Sequence, residues 1–453
     1  MEAWYLRSWN VGNLISGAAP CCCNAPVNSD TVLLMKPARR TFLKMTALAP
    51  GAAAQQSSPS PEAPVPAGLP YPRVYTGRQL AMIAFPLGGV GTGSISLGGR
   101  GQLRDWEIFN KPDKGKSPAY AFPSIWVKIG DRKPVASVLE AALKPPYEGS
   151  SGLGTQNVPG LPRLDSAVFS GQYPIGDVTF KDSTIPLRVS LEAFAPFIPH
   201  EPDDSGIPVA VLRYKVTNTT ASKASVAIAF AIDNPVGDKG RANEFREGSN
   251  FKGLLMTNPF LDQADPLKGS FALAVLDPGD GKVTHLRGWR GGSRWRVGPL
   301  AFWDDFSDDG ELGPEDAVRD SVGSLSLKRE IAPRGTGVFT FLLSWNFPNR
   351  TPERIGWNTP KGEEKTVIGN WYSTRFKDAW ACVEHVAANL PRLEEQTRAF
   401  VKAISRSTLP GAVKDAAMAN LSTYISATCF RTADGHFHGW EGANNQAGCC
   451  FGN

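Results

Sequence analysis

Histidine is scarce in this chain, with five among 453 residues. That is too few for a metal-rich site. Cysteine is almost as uninformative. Three of the seven stand together at Cys21-Cys22-Cys23 and two at Cys449-Cys450, and neither run has zinc-finger spacing. His436 and His438 can be joined on paper to Cys449 and Cys450, but their spacing matches no known mechanism. No metal and no cofactor are expected. No block of lysine or arginine stands out either. The net charge of +5 comes from 48 basic and 43 acidic residues, dispersed along the chain, which argues against a nucleic-acid partner. The apolar stretch Met45 to Ala54 is short and interrupted by Pro50, so it cannot cross a bilayer, and no integral membrane segment is expected. No internal repeat is visible.

What the chain does have is glycine, proline and aromatic residues: 46 Gly, 37 Pro, 12 Trp and 23 Phe. With 42% hydrophobic and 20% charged residues, this is the composition of a soluble, turn-rich β protein with aromatic sites. The length admits two or three domains.

The N-terminal segment reads as an address. Arg39-Arg40, followed by Thr41, Phe42, Leu43 and Lys44, has the form of a twin-arginine export signal. Met35 lies just before it. The expectation is that Met35 is the true start, that residues 1–34 are upstream sequence translated by mistake, and that the protein is exported to the periplasm or beyond. Residues 55–70, rich in Gln, Ser, Pro and Ala, read as a flexible linker.

From about residue 72 the texture changes. Glycines at 88, 89, 91, 93, 98, 99 and 101 alternate with small and β-branched residues. This is not a phosphate loop: no lysine follows the last glycine, and strands rather than a helix flank it. Closely packed strands with tight turns are expected, with Ile95, Leu97 and Leu103 facing inward. Further on, Ile207 to Thr217 alternates Val209, Val211 and Arg213 against Leu212, Tyr214 and Val216. Val226, Ile228 and Phe230 alternate likewise, and Phe271 to Leu276 and Val338 to Trp345 are apolar runs of strand length. The sum is a mainly β fold, an antiparallel β-sandwich of two sheets.

Near residue 370 the apolar period moves from two to 3.6. Phe376, Ala379, Trp380, Val383, Ala387 and Leu390 form one helical stripe, which Pro391 is expected to end. Leu393, Thr397, Phe400, Val401 and Ile404 form a second. A third helix has Pro410 in its first turn and uses Val413, Ala416, Ala417, Leu421 and Tyr424.

The stretch Thr428 to Gly442 closes the reading. Asp434-Gly435 is a turn signal that throws out a short aromatic strand or loop, ending on Glu441 between Trp440 and Gly442. A carboxylate beside an indole, flanked by a glycine that allows close approach, suits glycosidase chemistry, which also needs a second carboxyl group. Asp105 and Glu107 flank Trp106 and could be drawn as a catalytic pair, but are read as structural.

Several of these segments resemble glycoside hydrolase family 116, the non-lysosomal glucosylceramidase and β-glucosidase family. They are the glycine-rich segment ending in Arg104-Asp105-Trp106-Glu107-Ile108-Phe109-Asn110; Glu192 to His200, followed by Asp204 to Val209; Ser344 to Asn349; and Asn370-Trp371-Tyr372 through Phe376 to Trp380. The resemblance covers most of residues 72–453. It implies a β-sandwich domain over 71–365, linker helices over 366–408, and over 409–453 the opening of an incomplete (α/α)6 barrel that carries the active site. It also implies a retaining β-glucosidase whose substrate is a β-glucoside or a glucosylated lipid or sterol. Glu441 matches the nucleophile, and His436, His438 and Trp440 would line the sugar pocket. The acid/base aspartate of the family would fall beyond Asn453, so the chain is expected to be cut short and inactive alone, with exposed helical stripes available for association. The alternative is a non-catalytic carbohydrate-binding β-sandwich.

Overall fold

A computed structural model describes residues 70–144, 157–277, 279–291, 297–315, 317, 319–357 and 359–439, and the backbone of 443–444 and 448–449. The chain divides into two units, Met1–Val65 and Pro66–Asn453, and all described residues belong to the second. Arg39-Arg40 and the rest of the export segment lie outside the described residues.

The alternating runs become strands, and the fold is mainly β. The larger sheet has nine strands among the described residues. In spatial order they are Arg73–Thr76, Ser166–Gln172, Ile175–Lys181, Leu187–Phe194, Val209–Asn218, Thr336–Asn346, Ser270–Leu276, Phe251–Thr257 and Ala242–Glu247. Every neighbouring pair is antiparallel. A six-stranded sheet runs Gly281–Leu286, Val322–Ile331, Ala224–Asp233, Phe122–Ile129, Val135–Ala141 and Arg163–Leu164. Its last pair is parallel, which departs from the all-antiparallel expectation. Arg163–Leu164 is only two residues long and arrives through a connection rather than a hairpin.

Strand Val209–Asn218 explains how the layers join. Its residues Ala210, Leu212, Tyr214 and Val216 share one core with Ile125, Val127, Ile228 and Phe230 of the six-stranded sheet. Val209 and Val211 point the other way and pack with Val383, Val386, Leu390 and Leu393 of helix Ala379–Arg406. A strand covered on both faces loses the clean apolar–polar alternation of a half-exposed one. Each aliphatic side chain so buried contributes about 1.5–3 kcal/mol over an exposed one. The six-stranded sheet is covered likewise: Ala227, Ala229 and Trp126 meet Phe302 and Phe306 of helix Val297–Asp309.

Two helical expectations are corrected. Pro391 does not end the helix: Ala379–Arg406 is one continuous element of 28 residues with Pro391 inside it. Proline removes the N–H that would reach the carbonyl four residues back, here Ala387. The Asn250 amide donates to that carbonyl instead, at 3.3 Å. The two stripes are therefore one, and it is covered by the sheet rather than exposed. In helix Gly411–Leu421 the buried position is Met418, while Val413, Ala416 and Ala417 face outward.

Candidate functional site

The Asp434-Gly435 signal does make a turn. Strand Cys429–Arg431 pairs antiparallel with Phe437–Gly439. Asp434 Oδ1 accepts from the Thr432 hydroxyl at 2.6 Å and from the His436 amide at 3.2 Å. Gly435 takes φ +91°, a left-handed conformation that favours glycine. The second strand stops two residues before Glu441 in sequence. Glu441 and Trp440 themselves lie outside the described residues.

The glycine-rich segment is the hairpin's seat. It forms strands Ala84–Leu87 and Ser94–Gly98 with a tight loop between them, and Ile95, Leu97 and Leu103 are buried as expected. In the loop, Gly91 sits at φ +73° and donates to the Tyr424 carbonyl at 2.9 Å. A Cβ there would lie 2.9 Å from the Arg431 amide nitrogen. On the other flank the Ala433 amide donates to the Ile368 carbonyl at 3.3 Å.

The hairpin has two dissimilar faces. Phe430 stacks on His438 with ring centroids 5.2 Å apart, and Trp357 meets the His438 ring edge-on at 5.0 Å. The Arg350 guanidinium lies 4.3 Å from the centre of the Phe430 ring. Arg350 is only 5% exposed, and its Nε donates to Asn370 Oδ1 at 2.7 Å. Asn370 is fixed in turn by donating to Asn110 Oδ1 and to the Phe347 carbonyl, both at 2.8 Å. The separated segments singled out in the sequence, those of Asn110, Phe347 and Asn370, thus meet in one buried polar network behind the hairpin.

The opposite face carries Arg431 and Phe437. Arg431 stacks over Trp371 at 4.1 Å, and both donate to Asp203 Oδ1 at 2.8 Å. A groove of about 460 Å³ opens here, its walls including Val90, Ile198, Trp371, Tyr424, Arg431 and Phe437.

Electrostatics separates the titratable groups. Hydrogen bonds from Thr432 and His436 hold the Asp434 carboxyl down at about 2. Burial alone would raise Asp203, but its bonds from Trp371 and Arg431 outweigh that and lower it. Burial lowers His438, Arg350 and His436 add to this, and Asp434 opposes it. Burial also draws Arg350 down to about 10, which leaves it charged at neutral pH.

Of the four site residues expected from sequence, the structure describes two. His438 is half-buried in the aromatic stack. His436 is exposed at the turn and pairs with Asp434 at 3.1 Å. Asp105 and Glu107 are buried and clamp the loop after them: Gly115 donates to Asp105 at 2.6 Å and Lys114 to Glu107 at 2.6 Å. Among the described residues no three His, Cys, Asp or Glu side chains gather as for a metal ion. Arg350, Trp357 and Asp203 went unnoticed in the sequence. The only signal for Arg350 is its place directly after the Ser344 to Asn349 motif.

A family model described as beta-glucosidase 2, glycosyl-hydrolase family 116 N-term, matches residues 84–393. Among solved structures, a bacterial glucoamylase complexed with acarbose is similar at 8% identity with a TM-score of 0.36. That match covers 75% of this chain and 38% of that one. A structure titled as a kojibiose phosphorylase from human microbiome is similar at 7% identity and a TM-score of 0.33, over 73% of this chain and 37% of that one. The chain therefore spans well under half the length of either. By the family match over residues 84–393, more than half of its length, the chain belongs to glycosyl hydrolase family 116.

Proposed function

We propose that the chain is the substrate-side scaffold of an exported glycosidase that hydrolyses β-glucosides with retention, with Glu441 as nucleophile. In this reading a two-sheet sandwich over 71–365 leads through the helices of 366–408 into the opening of an (α/α)6 barrel at 409–453. His438, His436 and Trp440 face the sugar. The observation that carries the reading is the convergence of Gly91, Arg350 and Ile368 on the hairpin that precedes Glu441 in sequence. Three distant segments are spent on holding three-residue strands, which is the support a reactive group needs.

A retaining mechanism needs a nucleophilic carboxylate and a second carboxyl that stays protonated until it gives its proton to the leaving oxygen. The two described carboxyls nearest the hairpin are unsuited to the second role. Asp434 is held at about 2 and Asp203 is lowered, whereas a general acid must be raised. The acid is therefore a group other than these two, and in this reading the chain alone does not turn substrate over. Assaying the purified chain with an aryl β-glucoside tests this. No turnover is expected. Turnover that disappears in Glu441→Gln would keep the nucleophile but sink the requirement for an outside acid. Turnover that survives Glu441→Gln would sink the assignment of Glu441.

A further inference from the structure

A buried guanidinium ordinarily has a carboxylate beside it, because an uncompensated buried charge is costly. Arg350 makes no ion pair with a carboxylate among the described residues. Its Nε is held by the neutral Asn370, and its guanidinium carbon lies 4.3 Å from the centre of the Phe430 ring. Phe430 in turn stacks on His438 at 5.2 Å with planes 27° apart. The order is thus cation, benzene ring, imidazole, with Trp357 closing against the His438 ring. We propose that Arg350 is the positioning residue of this hairpin: against the Phe430 ring it holds the Phe430–His438 stack in place and sets a positive charge beyond that ring from the imidazole.

The chemistry follows from the donor inventory. A neutral imidazole has one donor and one acceptor nitrogen, matching a hydroxyl group that is itself both; an imidazolium only donates. The Thr432 hydroxyl lies 3.4 Å from His438 Nε2 and engages one of the two nitrogens. Among the described residues, the charged and titratable groups around the stack are few. Asp434 and His436 lie on the hairpin itself, Arg350 against Phe430, and Arg354 and Tyr372 act on Arg350 from behind. Burial disfavours protonation of His438 most, Asp434 favours it, and His436 and then Arg350 oppose it. That His438 meets a sugar hydroxyl rests on the functional reading above. Its charge state does not, and can be read with no sugar present.

The test is an NMR titration of the His438 imidazole in the full chain, assigned by loss of its signal in His438→Gln. Arg350→Met keeps length without charge, Arg350→Lys keeps charge without the planar fork, and Asp434→Asn calibrates the direction of the response. The His438 midpoint should lie below the ~6.5 of a free imidazole. It should move up in Arg350→Met and down in Asp434→Asn. In Arg350→Lys it should stay low while the ring contacts between Phe430 and His438 weaken. A folded Arg350→Met with an unmoved midpoint makes Arg350 merely structural and overturns the proposal. So does a native midpoint at or above ~6.5. If Arg350→Met does not fold, Arg350→Gln, which keeps a planar amide for Asn370, carries the same comparison. Adding an alkyl β-glucoside afterwards separates the two ideas, because an unmoved His438 signal would count against the sugar reading alone.

Discussion

The side-chain amide of Asn250, on the turn before strand Phe251–Thr257, donates to the carbonyl of Ala387 at 3.3 Å, one helical turn before Pro391. This bond satisfies the acceptor that the proline leaves open, and it ties the helix to the sheet. Asn250→Ala should therefore cost about 1–3 kcal/mol, since it orphans a half-buried carbonyl. Pro391→Ala restores the helix's own donor at that point. The loss from Asn250→Ala should shrink by about 1 kcal/mol in the Pro391→Ala background. Urea unfolding of the four proteins gives the cycle, and strict additivity would show that Asn250 plays no such part.

The same pair shows where sequence reading stops. The strands were legible because their signal is local. Val209 to Val216 alternates whatever lies elsewhere, and Asp434-Gly435 carries its turn in two residues. The continuation past Pro391 was not legible, because its cause stands on another element about 140 residues earlier in the chain. Arg350 was hidden for the same reason. Its burial depends on Phe430 and Asn370, which sequence spacing cannot bring together. The exposed face of helix Gly411–Leu421 was misread because alanines satisfy an apolar stripe without needing burial.

Glu394 gives a prediction in pH. Its carboxylate takes a forked pair of bonds from Arg213, at 2.7 and 2.6 Å, and a third from Arg398 at 2.7 Å. The Arg213 bonds lower its pKa most, against the opposing effect of burial, and Arg398 adds to them, bringing it to about 2. An unfolded glutamate titrates near ~4.3, so the unfolded chain takes up the proton first as the solution is acidified. The stabilisation is present above about pH 4.3 and fades as the pH falls toward 2. Glu394→Gln should cost roughly 1–3 kcal/mol at pH 7, discounted for partial exposure, and progressively less below pH 4. Thermal unfolding across that range reads the difference, and a loss that is constant with pH would contradict it.

Leu409, Val413 and Tyr424 are each 45–47% exposed on or beside helix Gly411–Leu421. Exposed apolar groups gathered on one element favour self-association. The chain should show a concentration-dependent rise in mass by light scattering, and Leu409→Ser with Val413→Ser should abolish it. A monomer at all concentrations would refute the association.

Gly91 tests whether the glycine-rich segment seats the hairpin. Alanine there meets two obstacles. Its φ of +73° costs a non-glycine residue about 1–2 kcal/mol. Its new Cβ would also lie 2.9 Å from the Arg431 amide nitrogen and 3.2 Å from Phe430 Cα. Those neighbours are backbone and cannot rotate away, so the hairpin must shift. Gly115, at φ +78° with nothing within 4 Å of a built Cβ, is the control. Gly115→Ala carries the conformational cost alone. Both variants should lose stability, but only Gly91→Ala should expose the 429–439 hairpin to faster amide exchange and to protease. Equal protection of the hairpin in the two variants would mean that the loop and the hairpin are neighbours without being coupled.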